Sequence, residues 1–205
     1  MNDLIILGAG GLAKQVYWIL QKSKTYNIIG FLDETISNDE YLYDKLVSNK
    51  IIKSKNPYLI CAVGGDRNHF VKERWVKQYS PFFKFATIID LNAQIADDVK
   101  IGEGTIIQSL VICGTGTSIG KHVRIGHRST LPHDIKIGNF CSISSGVNLG
   151  GVVTLKNGVD LGVNCILLPK ITIAKNCIIG AGAVVTKNTE ENKTYIGIPA
   201  KILKK

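Results

Sequence analysis

Ile119-Gly-Lys-His122-Val-Arg-Ile125-Gly-His127-Arg-Ser-Thr-Leu131-Pro-His133-Asp134-Ile-Lys-Ile137-Gly138 places an aliphatic residue at every sixth position. Outward from this stretch the series runs back through Cys113, Ile107 and Ile101 to Ile95. It runs forward through Ile143, Leu149, Leu155, Leu161, Leu167, Ile173 and Ile179 to Val185. Four residues after each member stands a small or β-branched side chain, as at Val99, Thr105, Val111, Thr117, Val123, Ser129, Ile135, Cys141, Val147 and Cys165. A period of six is neither the 3.6 of a helix nor the 2 of a half-buried strand. It fits a short strand followed by a turn, three such hexads closing one triangular coil, so that residues 18 apart stack on one face of a prism. The aliphatic side chain points inward, and the later position takes something small beside it. Gly follows the aliphatic residue at Gly102, Gly120, Gly126, Gly138, Gly162 and Gly180, where a turn with positive φ is expected. A coil buries its apolar surface only against its neighbours, so the array folds as a unit.

The rest of the composition agrees with a β-rich globular chain. Of 205 residues 45% are hydrophobic and only 7% aromatic, which leaves Ile, Val and Leu to fill the core. No apolar run reaches the roughly 20 residues of a membrane span, and no basic stretch precedes an apolar signal core at Met1-Asn-Asp-Leu, so a cytoplasmic location is expected. Cys61, Cys113, Cys141, Cys165 and Cys177 form no CxxC pair and read as buried thiols. The net charge of +9 is spread over 25 Lys and Arg without an Arg-rich tract, which predicts attraction of anionic small molecules and no nucleic-acid partner.

Residues 1–86 form a separate unit in this reading and residues 87–205 the repeat with its tail. Leu4-Ile-Ile-Leu-Gly8-Ala-Gly10-Gly11-Leu-Ala13 reads as a buried strand, a glycine turn and the start of a helix that runs to Leu20. Gly8, Gly10 and Ala13 match G-x-G-x-x-A, in which glycines let a phosphate approach backbone N–H groups at a helix N-terminus. A second strand from Ile28 ends at Asp33, an acceptor for a ribose or a base. A third, Tyr58-Leu-Ile-Cys-Ala-Val, ends in Gly64-Gly65 and is followed by a helix from about Arg67 to Tyr79. Only one half of a dinucleotide domain fits before the repeat begins, which counts against a dehydrogenase.

The hexads resemble those of the hexapeptide-repeat acyltransferases, and that resemblance implies a left-handed parallel β-helix. With the small Rossmann-like unit, its G-A-G-G and F-L-D, and the closing I-G-I-P-A-K, nearly the whole chain resembles bacterial nucleotide-sugar N-acetyltransferases of the PglD-like group. The sialic acid O-acetyltransferases are similar. The resemblance implies acetyl transfer from acetyl-CoA to the amino group of a nucleotide-linked amino sugar, in surface-glycan, lipopolysaccharide or glycoprotein sugar synthesis. O-acetylation of a sialic acid or related sugar is the alternative. It also implies a homotrimer whose subunits share the acetyl-CoA groove, with the nucleotide held near Gly8, Gly10, Gly11, Asp33 and Gly64.

Acetyl transfer needs a base for the nucleophile's proton and donors for the developing oxyanion. Of His69, His122, His127 and His133, His133 stands with Asp134 just before a hexad that begins Ile137-Gly138. The resemblance makes it the general base and Asp134 its orienting neighbour. His69, in a polar stretch, reads as a surface residue. Two departures from the family's pattern stand out: Gly126-His127 where many members have an Asn-Thr pair, and Ser142 where a second histidine is frequent. The acetyl-CoA groove carries over to Gly151, Gly162, Val163, Gly180, Ala181, Pro199 and Lys201. A metal site like that of the γ-class carbonic anhydrases would use the H-x4-H of His122 and His127. A catalytic zinc takes three protein ligands, and no third histidine lies in the upstream coils, so no metal is expected. A binding or scaffold protein with degenerate sites is the non-enzyme alternative.

Overall fold

The structure is a computed structural model that describes residues 1–35, 40–43, 45–48, 50, 54–64 and 69–204. The chain divides into two compact units, Met1–Ile88 and Ile89–Lys205.

The first unit is built on a five-stranded sheet. Strands β1 (Asn2–Leu7), β2 (Tyr26–Leu32), β3 (Glu40–Leu42), β4 (Lys45–Ser48) and β5 (Tyr58–Cys61) lie in the order β3-β4-β2-β1-β5. β1 pairs in parallel with both β2 and β5, β2 pairs in parallel with β4, and β3 folds back antiparallel on β4. The Leu4–Leu7 run is fully buried, as the central strand of a covered sheet must be. Helix α1 (Gly11–Ser23) buries Leu12, Ala13, Val16, Ile19 and Leu20 and ends where Lys24 turns left-handed, its N–H bonded to the Leu20 carbonyl at 2.9 Å. Helix α2 spans His69–Tyr79; its expected start near Arg67, Gly65, and the side chain of His69 lie outside the described residues.

In the second unit the two-residue strands from Gln94–Ile95 to Val184–Val185 pair in parallel at an offset of 18 residues, as Ser118↔Lys136 and Thr130↔Asn148 illustrate, and the chain closes on an antiparallel hairpin of Thr194–Ile196 and Lys201–Ile202. Three faces result, of six, five and eight strands. The aliphatic column from Ile107 to Val185 lies in one buried core, with Ile95 and Ile101 packed against its first coils. The small-residue column is buried too, and three of its polar members bond to a carbonyl fifteen residues on. Thr105 Oγ1 donates to the Gly120 carbonyl at 3.0 Å, Ser129 Oγ to that of Ser144 at 3.0 Å, and Cys141 Sγ to that of Lys156 at 3.1 Å. A short hydroxyl or thiol is tolerated there because the coil above offers it an acceptor.

One expectation is corrected. The glycines after the aliphatic residue do not have positive φ; the left-handed position is two residues later, at the third residue of each corner. It is filled by Leu110, His122, Arg128, Asp134, Phe140, Val152 and Lys170 as readily as by Gly104 or Gly116. The earlier glycines are needed because the coils approach closely: a Cβ at Gly126 would lie 2.5 Å from the Ser145 nitrogen, and one at Gly162 2.5 Å from that of Ala181.

Candidate functional site

In the first unit, Gly8 follows β1, Asp33 follows β2 and Gly64 lies beyond β5, so all three sit at the carboxyl ends of neighbouring parallel strands. β2 and β5 flank β1 on opposite sides, and the crevice at such a reversal of strand order is where open α/β sheets receive ligands. Gly8 has φ +99°, its N–H donates to the Leu32 carbonyl at 2.7 Å, and a Cβ there would come within 3.2 Å of the Ala62 carbonyl oxygen. Gly10 and Gly11 differ. Neither has positive φ, and a Cβ on either would meet nothing within 4 Å among the described residues. Gly10 caps α1 without a side-chain hydrogen bond, and the first turn carries no acidic residue.

Asp33 is already engaged by its own chain. Its Oδ2 accepts from Ala9 N–H at 2.9 Å, and its Oδ1 from Thr35 N–H at 3.0 Å and the Thr35 hydroxyl at 2.7 Å. Burial acts to raise its pKa, but these bonds to the charged form together hold it below the usual value. A carboxylate has about four acceptor sites. The geometry therefore ties the glycine loop to the end of β2 and leaves acceptor capacity on Oδ2.

In the second unit, His133 and Asp134 lie at the corner between the six-stranded and five-stranded faces, between the strands Thr130–Leu131 and Lys136–Ile137. His133 Nδ1 is 2.9 Å from Asp134 Oδ2, and the two side chains are 53% and 62% exposed. A carboxylate accepts at this distance, so in the neutral imidazole Nδ1 is the donor and Nε2 the atom with the free lone pair. The Nε2 side of the ring lies against Gly151, one coil on; a Cβ at Gly151 would fall inside contact distance of Nε2 and 2.5 Å from Cε1.

His127 holds the equivalent place at the corner between the eight-stranded and six-stranded faces. Its Nδ1 is 2.8 Å from Ser109 Oγ. Burial lowers its pKa, Arg124 and Arg128 add to the effect, and Asp90 opposes it. His122 is at the third corner, buried and stacked on Phe140 with ring centroids 5.2 Å apart. The three β-helix histidines thus occupy three different edges. Ser142 is on the eight-stranded face, paired in register with Arg124.

The residues expected to bind acetyl-CoA fall into separate groups. Gly151 adjoins His133. Gly162, Val163, Gly180 and Ala181 lie on the opposite edge of the six-stranded face. Pro199 and Lys201 are in the hairpin formed by Thr194–Ile196 and Lys201–Ile202. Burial pushes the thiols of Cys61 and Cys113 up to about 11 and that of Cys165 up to about 12, so none of these is a thiolate near neutral pH. Sequence reasoning passed over Gly116, although its offset of 18 from Asp134 marks it: a Cβ there would lie 2.5 Å from Asp134 Oδ1.

The comparisons with known proteins agree with both halves. Residues 3–79 match the PglD N-terminal domain, residues 116–151 the bacterial transferase hexapeptide (six repeats), and residues 157–187 the hexapeptide repeat of succinyl-transferase. The chain thus carries a PglD N-terminal domain followed by hexapeptide repeats. No curated protein sequence matches it. Among solved structures, the acetyltransferase domain of PglB from Neisseria gonorrhoeae in complex with acetyl coenzyme A is 23% identical, with a TM-score of 0.89 over 98% of this chain and 99% of that one. WeeI from Acinetobacter baumannii is 24% identical, with a TM-score of 0.88 over 99% and 100% of the two chains. A histidine-to-alanine variant of GDP-perosamine N-acetyl transferase from Caulobacter crescentus, in complex with CoA and GDP-perosamine, is 22% identical, with a TM-score of 0.86 over 100% and 98%. At these identities the likeness establishes the fold: an α/β domain joined to a parallel β-helix.

Proposed function

We propose that this protein transfers the acetyl group of acetyl-CoA to the amino group of a nucleotide-linked amino sugar used in surface-glycan or glycoprotein sugar synthesis, lipopolysaccharide included. The observation that carries the reading is the His133–Asp134 pair, joined through Nδ1, which in the neutral ring makes Nε2 the proton acceptor at an exposed corner beside a residue without a side chain. The sugar amine, once neutral, attacks the thioester carbonyl while Nε2 takes its proton. The tetrahedral intermediate collapses, the C–S bond breaks, and the imidazolium returns the proton to the departing CoA sulfur. Asp134 keeps Nδ1 protonated throughout and stabilises the imidazolium. The main-chain N–H of Gly151 is the donor proposed for the developing oxyanion. No cysteine intermediate is needed, since an amine is a competent nucleophile.

The nucleotide goes to the first unit. Among the described residues nothing crowds a Cβ at Gly10 or Gly11 and neither has positive φ, which supports close approach of a phosphate to the start of α1. The acceptor capacity left on Asp33 Oδ2 suits a ribose hydroxyl.

The six-stranded face supports a homotrimer. Ile112 and Ile166 stand outward on it, 44% and 40% exposed, flanked by Leu110, Val163 and Leu168 at its corners. Threefold packing through this face buries them and brings the Gly162–Val163 and Gly180–Ala181 edge of one subunit toward the His133 edge of the next. The groove for acetyl-CoA then lies between subunits, in a cytoplasmic enzyme.

The test is a panel of UDP-, dTDP- and GDP-linked amino sugars incubated with acetyl-CoA, with mass spectrometry of the sugar nucleotide and light scattering of the protein. The reading predicts an acetamido product from at least one sugar and the mass of three chains. Turnover of none, or a stable active monomer, contradicts it.

A further inference from the structure

We propose that Gly116 and Gly151 are positioning residues that seat the His133–Asp134 pair from two sides, each by lacking a Cβ. The inference deepens the acetyl-transfer reading and rests on it. Residues 18 apart stack, so Gly116 lies one coil before Asp134 and Gly151 one coil after His133. A methyl group at Gly116 would lie 2.5 Å from Asp134 Oδ1, and one at Gly151 would collide with Nε2 and stand 2.5 Å from Cε1 of His133.

Neither glycine is explained by its backbone. Gly116 has φ +70°, but the same corner position is held at similar φ by Leu110, Phe140, Val152 and Lys170. The solenoid therefore accepts ordinary side chains there. Gly151 has no positive φ, and its equivalents at this corner on other coils are Asp97, Thr115, His133, Pro169 and Lys187. Nor does main-chain crowding from the next coil explain them, as it explains Gly126 and Gly162. The nearest atoms met at both sites are side-chain atoms of the pair, apart from the Asp134 Cα at 3.5 Å.

The device answers a physical need. Both side chains are more than half exposed, so solvent and rotamer freedom work against a fixed imidazole. Gly116 lets the carboxylate lie back on the preceding coil, where it reaches Nδ1. Gly151 lets the Nε2 side of the ring lie against the bare backbone of the following coil. Asp98 steadies the same corner, its Oδ2 accepting from the Thr115 hydroxyl and Gly116 N–H, both at 2.8 Å.

The experiment uses Gly116→Ala and Gly151→Ala, each alone and combined with His133→Ala. The readouts are kcat and KM in the acetyl transfer assay and the ring-nitrogen chemical shifts of isotope-labelled histidine in the ligand-free protein. Wild-type His133 should show the Nδ1–H tautomer, and Gly116→Ala should move it toward the mixture of free imidazole. A displacement of the base by about 1 Å can cost about 10²-fold in rate, so Gly151→Ala should lower kcat by about 10- to 100-fold. In Gly116→Ala, which lies outside the acetyl-CoA groove, the acetyl-CoA KM should change by less than about threefold, since the loss is confined to the chemical step. In the His133→Ala background neither glycine variant should cost anything further. Unchanged kcat and tautomer in both variants, or the same loss with His133 absent, overturns the proposal. Undiminished kcat in His133→Ala alone would instead remove the catalytic reading, and the ring-nitrogen shifts would still decide whether the glycines position the ring.

Discussion

Replacing Gly11 by Ala should strengthen the fold while weakening nucleotide binding, a combination that a purely structural glycine cannot produce. Gly11 is the first residue of α1, its φ lies outside the left-handed region, and an added Cβ meets nothing within 4 Å among the described residues. With no clash, the methyl group acts chiefly by restricting the unfolded chain, a gain of about 0.4–1 kcal/mol. For a unit of this size 1 kcal/mol corresponds to about 4–8 °C in Tm, so a rise of a few degrees is expected in the transition of the first unit. The same methyl occupies the space through which a phosphate would reach the α1 N-terminus. Calorimetry should follow both quantities: thermal unfolding without ligand, and titration with the sugar nucleotide that the enzyme acetylates. Gly162→Ala serves as the contrast, because its Cβ would press 2.5 Å from a backbone nitrogen and should destabilise by about 1–3 kcal/mol. A Gly11→Ala protein with a lower Tm, or with wild-type nucleotide affinity, would refute the argument.

Asp33→Ala should raise the KM of the sugar nucleotide more than that of acetyl-CoA, because it frees the Ala9 and Thr35 N–H groups that shape the loop; steady-state kinetics in both substrates decides this. Asp134→Asn should lower kcat less than His133→Ala does, since it weakens the orientation of the base without removing it. His127 adds a pH dependence to stability. Its folded pKa is depressed by burial, so the unfolded chain binds more protons between that value and about 6.5, and stability should fall as pH drops through this window. Denaturant unfolding of wild type and His127→Gln between neutral and mildly acid pH should show a smaller pH slope in the variant.

The β-helix was legible because one geometric rule governs it. An inward position at every sixth residue must be apolar, and the pattern from Ile95 to Val185 follows. Stacking at 18 residues then comes from three hexads per coil, as Ile119↔Ile137 pairing confirms. The reason for the glycines was misread, since close approach between coils leaves no trace in a single hexad. In the first unit β1, β2 and β5 were readable as apolar runs. The β3–β4 hairpin was not, because Glu40-Tyr-Leu and Lys45-Leu-Val-Ser are too short and too mixed to show a period. His133 and Asp134 are neighbours in sequence, so their hydrogen bond could be anticipated. The contacts of Gly151 with His133 and of Ser109 with His127 span 18 residues and required the coil geometry to be seen.

The central claim is tested most directly by the kcat of His133→Ala, measured with acetyl-CoA and an accepted amino-sugar nucleotide on protein shown by light scattering to keep its wild-type assembly. Loss of a general base predicts a fall in kcat of about 10²- to 10⁴-fold with acetyl-CoA binding largely preserved. A kcat within about twofold of wild type, well short of what a positioned base contributes, would contradict it and place the proton acceptor elsewhere.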